Sequence, residues 1–202
     1  MTKTNNKFKG VILASSSKYR QALLARLKFS FAAISPEINE QPLVNESAKD
    51  LVKRLSIKKA NAISNKYPSH LIIGSDQVAV FNQKIIGKPE THENAVKQLQ
   101  TFSGQEIKFL TGLCVVCKES NTEHYKHSKV TVKFLELTEQ QIENYLLNDK
   151  PYDCAGSFKV ESLGISLFEK VESDDPTSLE GLPLITLCQL LNKCDNNILQ
   201  NS

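Results

Sequence analysis

The segment Ser15-Ser16-Ser17-Lys18-Tyr19-Arg20 follows a short apolar run, Val11–Ala14, and opens a helical pattern. Small hydroxylated residues at a helix start present backbone N–H groups at the positive end of the helix dipole, which are the ingredients of an anion site. Arg20 adds a fork that suits phosphate, and Lys18 adds a point charge. The segment is no Walker loop, because it lacks GxxxxGK. A phosphate cradle and an ordinary capped helix start both fit it. A second candidate, Gly74-Ser75-Asp76-Gln77, ends the apolar run Leu71–Ile73. Open α/β sheets place ligand groups at the carboxyl ends of strands. There Asp76 could bind Mg²⁺ or activate water, or it could cap a turn.

Other chemically able residues need the fold to bring them together. Glu37 and Glu40 lie in a loop bounded by Pro36 and Pro42 and could join Asp76 around a divalent ion; alone, each is a solvated loop acid. Lys58 and Lys59 fall in a helical pattern, and Lys88 follows Gly87; all are surface charges unless they converge with Arg20. Cys114 and Cys117 form a CxxC, but residues three apart on a strand face opposite ways. With no second pair at zinc spacing, they read as core thiols. His70, His92, His124 and His127 make no metal pattern, the last two lying at or near a hairpin tip. Tyr19 and Phe158 could stack on a base or simply pack, and packing is the default for Phe158.

The elements that must position these residues follow from pattern. Val11–Ala14, Phe29–Ile34 and Leu71–Ile73 read as strands, with Val78–Phe81 able to continue the last. Ser17–Leu27, with Ser17 as N-cap, and Ser47–Lys66, with Leu51, Leu55, Ala60 and Ile63 on one stripe, read as helices. Thr91–Phe102 is a further helix stopped by Ser103-Gly104. Ile107–Cys117 and His127–Leu137 read as long strands joined by a polar tip, Lys118–Lys126. Thr138 with Gln141 forms a capping-box pattern for a helix to about Leu147. Ala155–Phe168 reads as mostly strand, and Pro176–Leu191 as a last helix. Mixed strands and helices predict an α/β or α+β fold.

Composition narrows the function classes. The 202 residues suit one domain or two intimate lobes. The net charge of +3, 25 basic against 22 acidic residues, is too small to imply nucleic-acid binding by itself. No stretch nears the ~18–20 apolar residues of a membrane span, and no signal-peptide core is present. Five irregularly spaced cysteines suit a reducing compartment, so a cytoplasmic protein is expected.

Taken in order, these segments resemble the Maf nucleotide pyrophosphatases. The matching pieces are Leu13-Ala14-Ser15-Ser16-Ser17 with Arg20, Pro36-Glu37-Ile38-Asn39-Glu40, Lys59-Ala60 and Gly74-Ser75-Asp76-Gln77-Val78. They continue with Gly87-Lys88-Pro89, Thr111-Gly112, Ala155-Gly156-Ser157-Phe158 and Gly181-Leu182-Pro183-Leu184. The resemblance spans 10–194 as a single domain, leaving 1–9 and 195–202 as flexible tails. It implies a twisted mixed sheet with flanking helices and two lobes around a nucleotide cleft, similar to the inosine-triphosphate pyrophosphatases. It also implies cleavage between the α- and β-phosphates, dependent on a divalent metal, Mg²⁺ or Mn²⁺. By position, Asp76 would be the catalytic acid/base, Asp76 and Glu40 the metal ligands, and Ser15, Arg20, Lys59 and Lys88 the phosphate contacts. The family often has Asp-Glu where this chain has Asn39-Glu40, which removes one carboxylate.

Ser75-Asp76-Gln77, in place of Ala-Asp-Thr, resembles the branch that hydrolyses 7-methyl-GTP. Its specificity positions correspond to Tyr19, where Trp is usual, Gln77 and Glu161. Methylation at N7 makes guanine cationic. An aromatic face attracts such a base by about 0.5–2 kcal/mol, and a carboxylate pairs with it. The resemblance leaves room for a homodimer. Two rival readings stand beside it. One is a nucleotide-binding regulator of cell division without significant hydrolysis. The other is an RNA-binding protein, for which no RNP, KH or GxxG signature is present.

Overall fold

A computed structural model describes residues 8–194 and Leu199. The expected tails fall mostly outside the described residues. Phe8, within them, is buried in an apolar cluster, and the Lys9 N–H donates to the Ser69 carbonyl at 3.0 Å.

The strands are β1 (Val11–Leu13), β2 (Phe31–Ala33), β3 (Leu71–Phe81), β4 (Lys84–Ile86), β5 (Glu106–Cys117), β6 (Thr122–Phe134) and β7 (Phe168–Ser173). The helices are α1 (Lys18–Ala25), α2 (Ala48–Ser64), α3 (His92–Phe102), α4 (Glu139–Asp149) and α5 (Leu184–Lys193), with 3-10 turns at Leu163–Leu167 and Pro176–Glu180. The sheet is mixed, in the order β2-β1-β3-β5-β6-β7, with β4 on β3. β1 runs parallel to β2 and β3, whereas β3–β4 and β6–β7 are antiparallel. This is the mixed α/β sheet with flanking helices that the family resemblance implies, and it settles the choice between α/β and α+β left open by the pattern.

The chain divides into two compact units. The first comprises 8–76, 111–128 and 175–194. Here β1, β3 and β5 are buried on both faces, as strands covered by helices on both sides must be. Leu13, Leu71, Ile73, Leu113 and Val115 pack with Leu23 and Leu24 of α1 and Leu187, Leu190 and Leu191 of α5. Ile12, Ile72, Cys114 and Val116 pack with Ala60 and Ile63 of α2. Cys117 belongs to the first cluster and Cys114 to the second, both as free thiols, as strand alternation requires.

The second unit comprises 77–110 and 129–174. Its half of β5 alternates exposed and buried residues, from Glu106 to Phe109, so one face meets solvent. Phe158 is buried at the centre of an aromatic cluster, edge-on to Phe109, Phe134 and Phe168 at 5.3, 5.9 and 4.8 Å. It therefore packs and does not stack on a ligand.

Several local expectations hold and several fail for physical reasons. Ser17 caps α1 as its position predicts, and the structure adds Ser47 and Thr91 as the caps of α2 and α3. The α4 capping box is complete: Thr138 Oγ1 accepts from the Gln141 N–H at 3.3 Å, and Gln141 Oε1 accepts from the Thr138 N–H at 2.8 Å. Thr138→Ala is expected to cost about 1 kcal/mol. It should be read as a lower urea midpoint with an unchanged slope. The expected strand Ala155–Phe168 is instead turns and a 3-10 helix, with regular pairing only from Phe168. Positive φ at Gly156 and Ser157 breaks any extended run there. The expected helix Pro176–Leu191 is interrupted at Gly181, which is left-handed, and restarts after Pro183. Asp175 and Thr177 then cap the restart from outside it, accepting from the Thr186 and Leu184 N–H groups at 2.9 and 2.8 Å. β6 begins at Thr122, so His124 and His127 lie on a strand and not at a tip.

Candidate active site

Asp76 was expected at the end of a strand, but β3 continues through it to Phe81. Val78 to Phe81 carry the extended pattern onward, and a buried carboxylate can stand inside a strand when a cation meets it. That cation is Lys59, whose Nζ donates to Asp76 Oδ1 at 2.7 Å. Both side chains are buried, 6% exposed for Lys59 and 8% for Asp76. The same ammonium lies 3.1 Å from Glu40 Oε1, whose side chain is 55% exposed. One lysine thus joins an inner and an outer carboxylate.

By spacing alone Lys59 is surface charge unless it converges with Arg20. The signal for burial was in the sequence: Leu51, Leu55, Lys59 and Ile63 are each four apart, one stripe of α2. Two glycines let that stripe approach the sheet. A Cβ on Gly74 would lie 2.3 Å from the Ser56 carbonyl, and one on Gly112 would lie 2.5 Å from that of Val52. Gly74 and Asp76 share a strand face, so the close approach at one brings Lys59 to the other.

Ser75 faces the other way and is buried. Its hydroxyl lies 2.9 Å from the Gly112 carbonyl and 3.1 Å from that of Gly181. The Gly181 carbonyl also accepts from Arg20 Nε at 2.9 Å, and Arg20 Nη1 reaches Ser15 Oγ at 3.5 Å. Burial lowers the Arg20 pKa, and attraction to Asp76 and then Glu40 opposes that. Ser15 Oγ further accepts from the Ser17 N–H at 3.1 Å, so the serines organise the first turn of α1.

The Glu40 loop is also fixed. Asn39 Oδ1 accepts from the Gln41 N–H at 2.9 Å, so Asn39 shapes the loop. Arg54 Nη2 donates to the Gln41 carbonyl at 3.0 Å while Nε holds Glu46 at 2.6 Å. The Arg54 hydrogen bonds draw the Glu46 carboxyl down to about 2. Arg54 does not stand out in the sequence, and the acceptors of the Ser75 hydroxyl are not legible there because they lie in distant segments.

The first unit therefore brings together Ser15, Arg20, Glu40, Lys59 and Asp76, with Tyr19 partly buried in the first turn of α1. Gln77, Lys88 and Glu161 belong to the second unit. Gln77 follows Asp76 on β3 and alternates to the opposite face. Lys88 is exposed in the loop after β4, and Glu161 is exposed in a turn before the 3-10 helix Leu163–Leu167. Among the described residues no group of three or more His, Cys, Asp or Glu could hold a metal ion, and no helix is long and apolar enough to cross a membrane.

A mixed sheet with helices on both sides thus carries an Asp–Lys–Glu bridge beside a Ser–Arg helix start. The chain belongs to the Maf-like protein family, which matches residues 10–194. It is 50% identical over 183 residues to the 7-methyl-GTP pyrophosphatase of Pseudomonas savastanoi pv. phaseolicola, covering 91% of this chain and 95% of that one. It is 53% identical over 181 residues to the 7-methyl-GTP pyrophosphatase of Pseudoalteromonas translucida, covering 90% of each. Among solved structures, the Staphylococcus aureus Ham1 protein matches 63% of this chain and 73% of its own, with a TM-score of 0.42 and 10% identity.

Proposed function

We propose that this protein hydrolyses a nucleoside triphosphate, 7-methyl-GTP in particular, to the monophosphate and pyrophosphate. The observation that carries the reading is the bridge in which Lys59 Nζ meets Asp76 at 2.7 Å and Glu40 at 3.1 Å, with Arg20 drawn to the same carboxylates. The names of its relatives supply the reaction and the base. Residues 10–194 act as one domain in this reading, and the cytoplasm is its compartment.

Arg20, fixed by the Gly181 carbonyl and Ser15, offers its remaining N–H groups to phosphate oxygens, together with Ser15, Lys59 and Lys88. Phosphoryl transfer needs little covalent help from a protein, so positioning and charge stabilisation do most of the work. Water supplies the new oxygen as the anhydride between the α- and β-phosphates breaks. Asp76 orients that water and takes its proton, and pyrophosphate departs with its charge held by the cations. Tyr19, Gln77 and Glu161 serve the base: an aromatic face and a carboxylate favour a cationic purine over a neutral pyrimidine.

The donor set fits Mg²⁺ or Mn²⁺. Asp76 and Glu40, hard carboxylates that both meet the Lys59 ammonium, would hold the ion together with waters and substrate phosphates, a common arrangement for Mg²⁺. Two protein carboxylates make the nucleotide part of the binding site. When bound, the ion neutralises triphosphate charge.

The test is a panel of ordinary and modified triphosphates with product analysis. The expected result is pyrophosphate, released fastest from 7-methyl-GTP and abolished by chelator. Binding without hydrolysis on every substrate would turn the reading to a nucleotide-dependent regulator.

A further inference from the structure

Lys88 lies in an exposed loop, yet the carbonyls on either side of it are held. Asn94 Nδ2 donates to the Pro89 carbonyl at 3.0 Å, and Gln98 Nε2 donates to the Gly87 carbonyl at 3.2 Å. Asn94 and Gln98 are four apart on α3, so one helix face offers two amides to the carbonyls of the residues before and after the lysine. The Glu90 N–H, just beyond, donates to the Tyr152 carbonyl at 3.0 Å, and Glu90 itself takes a positive φ of 63°. The loop is therefore tied at three successive points.

The orientation of Gln98 is also set. Its Oε1 accepts from Ser157 Oγ at 2.6 Å, which leaves the Nε2 end for the Gly87 carbonyl. Ser157 is fully buried at a φ of 60°, held by its own N–H donating to the Cys154 carbonyl at 3.2 Å. Such a backbone conformation costs free energy for a residue other than glycine. The segment Ala155-Gly156-Ser157-Phe158 thus does more than pack Phe158: it aims a hydroxyl at one glutamine.

We propose that Ser157, Gln98 and Asn94 are positioning residues that fix the Gly87–Pro89 backbone and so hold Lys88 for a substrate phosphate. This rests on the functional reading above, in which Lys88 contacts the triphosphate. The chain of contacts runs from a buried serine through a helix side chain to a loop carbonyl. Its purpose is to lower the conformational entropy that a flexible lysine loop would lose on binding a phosphate.

The test is a double-mutant cycle on the whole chain, with 7-methyl-GTP as substrate and kcat and KM measured separately. Lys88→Ala alone is expected to lower kcat/KM by about a hundredfold. Gln98→Leu, which keeps the volume and removes both polar ends, is expected to lower it by about tenfold, mostly through KM. Asn94→Ala, at an exposed position, should do the same more weakly and provides a variant that retains the core. In the Lys88→Ala background neither second change should lower the rate further, because their effect passes through the lysine. If Gln98→Leu slows the Lys88→Ala enzyme by the same factor as the wild type, the positioning role is overturned while the phosphate role of Lys88 stands. If Lys88→Ala is as active as the wild type, the phosphate role itself falls, and the positioning claim falls with it.

Discussion

Asp76→Asn is expected to slow pyrophosphate release by about a hundredfold to ten-thousandfold and to leave the protein folded. The two parts of that expectation have separate causes. Asn keeps the size of Asp and an oxygen that can accept from Lys59, and Lys59 keeps a carboxylate partner in Glu40 at 3.1 Å. No buried charge is left without a counter-charge, which is the event that makes breaking a buried pair costly. What is lost is a carboxylate able to take a proton from water. The measurement is single-turnover hydrolysis of 7-methyl-GTP at saturating enzyme, beside a thermal melt. A rate near that of the wild type with an unchanged melt would remove Asp76 from the chemistry.

The second large effect is on the frame of the site. Gly74→Ala is expected to destabilise the protein by about 3 kcal/mol or more, at the upper end of overpacking costs. The added Cβ would stand 2.3 Å from the Ser56 carbonyl and 2.8 Å from the Ala60 nitrogen. Both are backbone atoms of α2, so no side-chain rotation relieves the clash, and the helix must move. Because α2 also carries Lys59, the movement should loosen the bridge to Asp76 and lower activity as well. For a chain of this size the melting temperature should fall by about 6–12 °C. Gly87→Ala is the control: a Cβ there meets nothing within 4 Å, and the change should stay within about 0.5 kcal/mol. Equal melts for the two variants would show that the close approach of α2 at Gly74 is not required.

These two residues also mark how far the sequence could be read. Gly74 and Asp76 are legible as a candidate motif, but local pattern breaks the strand at them, between Leu71–Ile73 and Val78–Phe81. A run broken by Gly-Ser-Asp looks like a turn when only local propensity is considered. Nothing local reveals that Lys59, 17 residues earlier, will meet the carboxylate inside the sheet. The α2 stripe Leu51–Leu55–Lys59–Ile63 did signal that Lys59 is buried and needs a partner, without saying which residue that partner is. The Ser75 hydroxyl and the Arg20 guanidinium are a different case. Their shared acceptor is the Gly181 carbonyl, 106 and 161 residues away, and no pattern within either segment points to it.

By itself the sequence determined the parts whose cause is local: the Ser17 cap, the Thr138–Gln141 box, the helical stripes and the apolar strands. Caps and periodicity act over one or two turns, so a few neighbouring residues suffice to specify them. Only the tertiary structure decided that Asp76 lies within a strand, that Lys59 joins it to Glu40, and that Ser157 and Gln98 reach the Lys88 loop. Those contacts arise from strand pairing and from the distance at which a helix rests on a sheet. Both are set by residues far apart along the chain, and a single glycine without a Cβ is enough to change them.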